Sequence, residues 1–126
     1  MTGTRKQNRW LALIIVFGCL AVSIGLFALF RAYRNTQFEK KLEAVSQCQS
    51  YQQCAEMFDH EVYNMKLDDE NEISWLERNF GKQKAWQKKE NENVAFFPGG
   101  GLPLKYIYVV YDRTTYRVIE TGWLGM

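Results

Sequence analysis

Residues 10–30 read WLALIIVFGCLAVSIGLFALF, twenty-one positions without a charged side chain. At about 1.5 Å per helical residue the run covers about 31 Å, close to the ~30 Å hydrocarbon thickness of a bilayer. Inside lipid a lone segment satisfies its own backbone N–H and C=O groups only as a helix. Arg9 and Trp10 stand at one end, and Phe30, Arg31, Tyr33 and Arg34 at the other, the cation-and-aromatic pattern of a membrane boundary. The stretch is therefore read as one transmembrane helix. Burying it in a soluble core instead would ask residues 31–126 alone to surround it, which is little chain for the task.

Outward from the span lie a tail, residues 1–9, and a single small domain, residues 31–126. Three of the sixteen Lys and Arg residues stand in the tail, and the other thirteen face fourteen Asp and Glu. The domain is thus nearly neutral, which argues against nucleic acid as a partner. A short basic tail resists translocation, whereas long domains cross largely regardless of charge. The expected topology is single-pass in a bacterial inner membrane, with the N-terminus cytoplasmic and the domain periplasmic. No Asn-X-Ser/Thr sequon occurs, which fits that compartment.

Val16-Phe17-Gly18-Cys19 resembles a lipobox, in which a small residue precedes a lipid-bearing cysteine. Phe17 stands where a small side chain belongs, and Leu20–Phe30 would remain as an apolar run after the modified Cys19. An uncleaved signal anchor accounts for the stretch better than a lipid-modified envelope protein. Gly18, Ala21, Gly25, Ala28 and Ala32 recur at steps of three and four along the span. Such a stripe lets a second membrane helix approach closely, in a homodimer or against another membrane protein.

Beyond the span, Phe38, Leu42, Val45, Cys48, Tyr51, Ala55, Phe58 and Val62 repeat at helical steps, so residues 31–65 are predicted helical. Cys48 and Cys54 point to different sides of an unbroken helix. Ser50-Tyr51-Gln52-Gln53 matches a capping box, and a break there brings the two sulfurs to one corner. The expectation is a Cys48–Cys54 disulfide formed in an oxidising compartment. His60, the single histidine, sits between Asp59 and Glu61 as an ordinary surface residue. Asp68-Asp69-Glu70-Asn71-Glu72 lacks the glycine and the closing glutamate of a calcium loop, so no metal is expected. Asp69 and Glu72 instead open a helix over residues 72–81, with Ile73, Leu76 and Phe80 inward and Gly81 at its end. The lysine-rich Lys82–Lys89 reads as a solvated edge strand.

The periodicity then drops to two, placing antiparallel strands over residues 84–122. Val94–Phe97 is a short strand, and Pro98–Pro103 is a glycine loop without the Lys-Ser/Thr ending of a phosphate cradle. Lys105–Tyr111 and Tyr116–Thr121 form a hairpin around Asp112-Arg113-Thr114-Thr115, with Tyr111 opposite Tyr116. In that register Ile107, Val109, Tyr111, Tyr116 and Val118 face the core. Tyr106, Tyr108, Arg117 and Ile119 face outward beside Val110 and Thr121, a surface aromatic enough to meet a partner protein.

The fold class is thus α+β: a single N-terminal transmembrane helix, then two or three helices packed on a 3–4-stranded antiparallel sheet. Its order is loosely similar to that of small envelope-assembly lipoproteins, an architectural likeness without a shared motif. No nucleophile, base and orienting group fall together, and no cofactor motif is present, so the chain reads as non-enzymatic. The expected function is an accessory or assembly subunit of an envelope complex, presenting a protein-binding domain at the bilayer. The alternative is a membrane-anchored immunity or exclusion protein that binds an incoming toxin or effector.

Overall fold

The computed structural model describes residues 2–101 and 103–125, with side chains from Arg5 onward. Met1 of the tail, Leu102 of the glycine loop and the terminal Met126 lie outside the described residues. Helix α1 (Thr2–Ser46) runs unbroken for 45 residues and contains the apolar stretch. That stretch is long and apolar enough to cross a membrane, and its window is unburied by the rest of the chain. The chain divides into two compact units, Met1–Tyr33 and Arg34–Met126. In the first, Gly18, Ala21, Gly25 and Ala28 are all exposed, and nothing lies within 4 Å of where a Cβ would stand on either glycine.

The second unit is α+β. Its sheet is four-stranded and antiparallel in sequence order: β1 (Tyr63–Lys66), β2 (Glu92–Gly100), β3 (Lys105–Asp112) and β4 (Val118–Gly125). The central strands bury both faces. On one, Ala95, Phe97, Ile107, Val109 and Tyr111 meet Phe38 and Val45 of α1 and Cys54 of the short α2 (Tyr51–Ala55). On the other, Val94, Phe96, Tyr108 and Val110 meet Leu76 and Phe80 of α3 (Glu70–Phe80), together with Leu67, Trp86 and Leu124. Each fully buried Phe or Leu contributes about 1.5–3 kcal/mol, so both layers are needed to hold so small a unit.

Local signals set the corners. Ser50 caps α2 through its hydroxyl, which accepts from Gln53 N, while Gln53 Oε1 reaches back to Gln49 N at 3.0 Å. Asp69 caps α3, accepting from Asn71 N at 2.9 Å. The ring of Phe38 lies flush on Gly99: a Cβ there would stand 2.9 Å from two ring carbons. Gly100 and Gly101 turn the chain between β2 and β3 at φ of 75° and 82°, which glycine adopts freely.

Three elements differ from the sequence reading. The helical stretch ends at Ala55, and Tyr63–Lys66 is a strand, because Tyr63 and Met65 align with Phe96 and Val94 along β2. Lys82–Lys89 is not a strand, since β1 already occupies that side of β2. It crosses the sheet face irregularly and lays Trp86 into the core. The hairpin register shifts as well: Tyr111 pairs with Val118, and Tyr116 sits in the turn at φ 59°.

Candidate interaction surface

Strand β4 is an edge of the sheet, and hydrogen bonds from outside the sheet tie down both of its ends. At its start, the Asp112 carboxylate accepts from the N–H groups of Thr114 at 2.8 Å and Thr115 at 2.9 Å, folding the turn. Those amides, Thr115 first, hold the Asp112 carboxyl below the usual carboxylate range. Tyr116 O then accepts from Tyr51 N at 2.8 Å, and Val118 N donates to Gln49 O at 2.9 Å, tying the strand to the α1–α2 corner. At the far end, Gln83 Oε1 accepts from Gly125 N and Gln83 Nε2 donates to Gly125 O, each at 2.7 Å.

Gly125 therefore turns its backbone polar groups outward. By the two-residue alternation of an antiparallel pair, Trp123 and Thr121 turn theirs to the same side. Large side chains flank that edge: Tyr116 is 45% exposed, Ile119 51% and Trp123 47%. Trp123 is held edge-on to Phe38 at 5.9 Å, with the Lys105 ammonium over both rings at 4.7 and 4.9 Å. It is a rigid aromatic with one side in water.

The expected partner face is corrected here. Tyr108 is buried and Tyr106 half-buried, both under α3 and Trp86, because Phe80 and Trp86 pack edge-on against their rings. Burial first, and Glu120 second, push the Tyr108 hydroxyl up to about 12. Arg117 and Ile119 are exposed as expected, but Arg117 bridges to Ser50 just before β4 and Ile119 lies on β4, while Tyr106 and Tyr108 stand opposite Leu124 and Gly122. Tyr116 and Trp123, which the sequence reading set in the core and at the chain end, complete the exposed group. Trp and Tyr are the residues most used as anchors at protein interfaces, which was the available signal.

The cysteines are also corrected. The corner between α1 and α2 forms, yet Cys19, Cys48 and Cys54 are all free thiols. Cys48 Sγ donates to Ala44 O at 3.5 Å, the helical back-bond, and lies 4.0 Å from Met57 Sδ. Burial, followed by the hydrogen bond with Cys48, pushes the Cys54 thiol up to about 12, so its sulfur stays protonated and a poor nucleophile. The acidic run is accounted for by Asp69 as the α3 cap, Glu72 accepting from Lys66 N, and Asp68 paired with Arg113 at 2.8 Å. Among the described residues no three His, Cys, Asp or Glu gather as a metal group, and His60 is exposed.

No protein-family model, curated protein or solved structure matches the chain.

Proposed function

We propose that the chain is a single-pass inner-membrane protein whose periplasmic domain binds an extended segment of another envelope protein along β4, as an accessory subunit of an envelope complex. The apolar stretch of α1 supports the membrane crossing. The basic tail, which translocates poorly, supports the cytoplasmic N-terminus.

One observation carries the partner reading: β4 is a long, solvent-facing edge strand with Ile119 and Trp123 exposed beside it. Native edges of this kind are normally blunted by charge, proline or a covering element. Here Gln49 and Gln83 cover the two ends by hydrogen bonds. An added strand would pair with the outward backbone groups of Thr121 and Trp123 and seat its side chains against the exposed apolar residues.

Photo-crosslinking from positions 119 and 123 in intact cells tests the reading. The expected product is a discrete adduct to an envelope protein that is lost in Thr121→Pro, a substitution that removes an outward N–H. Adducts only to a second copy of the chain, or adducts unaffected by Thr121→Pro, overturn it.

A further inference from the structure

A second feature rests on the membrane reading of α1 but owes nothing to a partner strand on β4. Arg34, Gln37 and Lys41 of α1 look across an open recess of about 380 Å³ at the turn of residues 98–101 and at Leu104. Arg34 follows Phe30, the last residue of the apolar stretch, by four positions of the same unbroken helix, about 6 Å of rise. Headgroups fill the ~5–7 Å beyond the hydrocarbon on each side of a bilayer. When the stretch crosses, Arg34 therefore stands at headgroup depth.

The charge of the lining has one sign. Arg34 and Lys41 are cations, and no Asp or Glu lines the recess among the described residues. Glu39 and Glu43, the acids nearest in sequence, stand about 140° and 180° around the helix from Arg34. Lys41 makes no ion pair among the described residues, and its ammonium rests over the Phe58 ring at 5.5 Å. The Arg34 guanidinium is set against the bare backbone of the glycine turn. A Cβ on Gly100 would stand 3.7 Å from its Nη2 and 3.9 Å from its Nε. Leu104, 42% exposed, adds an apolar surface to the same lining. Two cations, an amide and an exposed leucine suit an amphiphilic anion better than a free inorganic one.

We propose that this recess binds the headgroup of an anionic phospholipid from the surrounding bilayer. The lipid's phosphodiester accepts from the Arg34 guanidinium, and the Lys41 ammonium adds attraction two turns further along the helix. A headgroup hydroxyl meets the Gln37 amide, and the apolar part of the lipid next to the phosphate lies on Leu104.

The glycine turn is its own reporter. The full chain, labelled with nitrogen-15 glycine, is placed in phosphatidylcholine nanodiscs carrying rising fractions of phosphatidylglycerol. The Gly99, Gly100 and Gly101 amides are expected to shift saturably with phosphatidylglycerol, while Gly81 and Gly122 stay in place. Arg34→Gln and Lys41→Gln should each weaken the response by about fivefold. Lys40→Gln makes the same change of charge one residue away and outside the recess, and should leave the response intact. Lys41 is exposed, so its variant keeps the test sound if Arg34→Gln does not fold. Inorganic phosphate added to pure phosphatidylcholine discs is expected to leave the three glycines unmoved. A chain that does not enter the discs overturns the membrane reading and this proposal with it. Insertion without a saturable glycine shift overturns this proposal alone. So do equal losses from Lys40→Gln and Lys41→Gln, which mean diffuse surface charge, and an equal shift from inorganic phosphate.

Discussion

Gln83 closes on Gly125 as one strand closes on another, its side-chain amide exchanging two hydrogen bonds of 2.7 Å with the glycine's N–H and carbonyl. A side chain from outside the sheet thus substitutes for two backbone groups of a missing fifth strand at the last turn of the edge. Gln83→Ala is expected to cost about 1–2 kcal/mol, the net worth of two exposed hydrogen bonds. Gln83→Glu should cost a similar amount, because its carboxylate keeps the N–H but faces the Gly125 carbonyl. Thermal unfolding measures the loss, and faster amide exchange confined to the end of β4 shows where it falls.

Gly122 lies opposite Tyr108, whose ring covers it: a Cβ would stand 2.5 Å from the phenol oxygen and 2.6 Å from the ring carbon bearing it. Tyr108 is walled in by Trp86 at 5.9 Å between ring centres and cannot swing away freely. Gly122→Ala is therefore expected to destabilise by about 1–3 kcal/mol through overpacking. Tyr108→Leu should lose stability alone, yet the double variant should lose less than the sum. Additive losses in thermal unfolding would show that the two positions are independent.

These two pairs also show where the sequence was legible. Caps and periodicity were read directly, since Ser50 and Asp69 act through hydrogen bonds to residues two or three positions on. The α+β class followed from helical steps giving way to alternation. What failed was the assignment of a wet face. In Lys105–Tyr111 both alternating sets are aromatic or branched, and period two alone does not say which set meets water. Tyr108 was buried by Trp86, a residue whose lysine-rich neighbours argued for exposure. Strand β1, YNMK, carries no β-branched residue and is fixed by tertiary partners, pairing with β2 and receiving Glu72 of α3 at Lys66 N. Tyr116 and Trp123 emerged as surface anchors only once the bulge at Ile119 had set the register of β4.

Acid should loosen the β3–β4 turn. The Asp112 carboxyl is lowered by the Thr115 and Thr114 amides, and the Asp68 carboxyl by its hydrogen bond with Arg113. Both are lower folded than unfolded. Their stabilisation is therefore fully present above the ordinary carboxylate range, near 3.9 for an unfolded Asp, and is lost as pH falls through the folded values. Asp112→Asn keeps an acceptor for both amides but removes the titrating charge. Its melting temperature is expected to fall less steeply with acid than that of the unaltered chain. An unchanged slope in both Asp112→Asn and Asp68→Asn would contradict the assignment.

The central claim is that the apolar stretch of α1 crosses a bilayer and leaves the second unit on its outer side. Protease added to sealed spheroplasts expressing the chain tests this most directly, with a tag placed after residue 125 to follow the domain. The expected result is loss of the tag without lysis, while a tag before residue 5 survives until the membrane is opened. Protection of the C-terminal tag with digestion of the N-terminal one, or recovery of the chain in the soluble fraction, would contradict it.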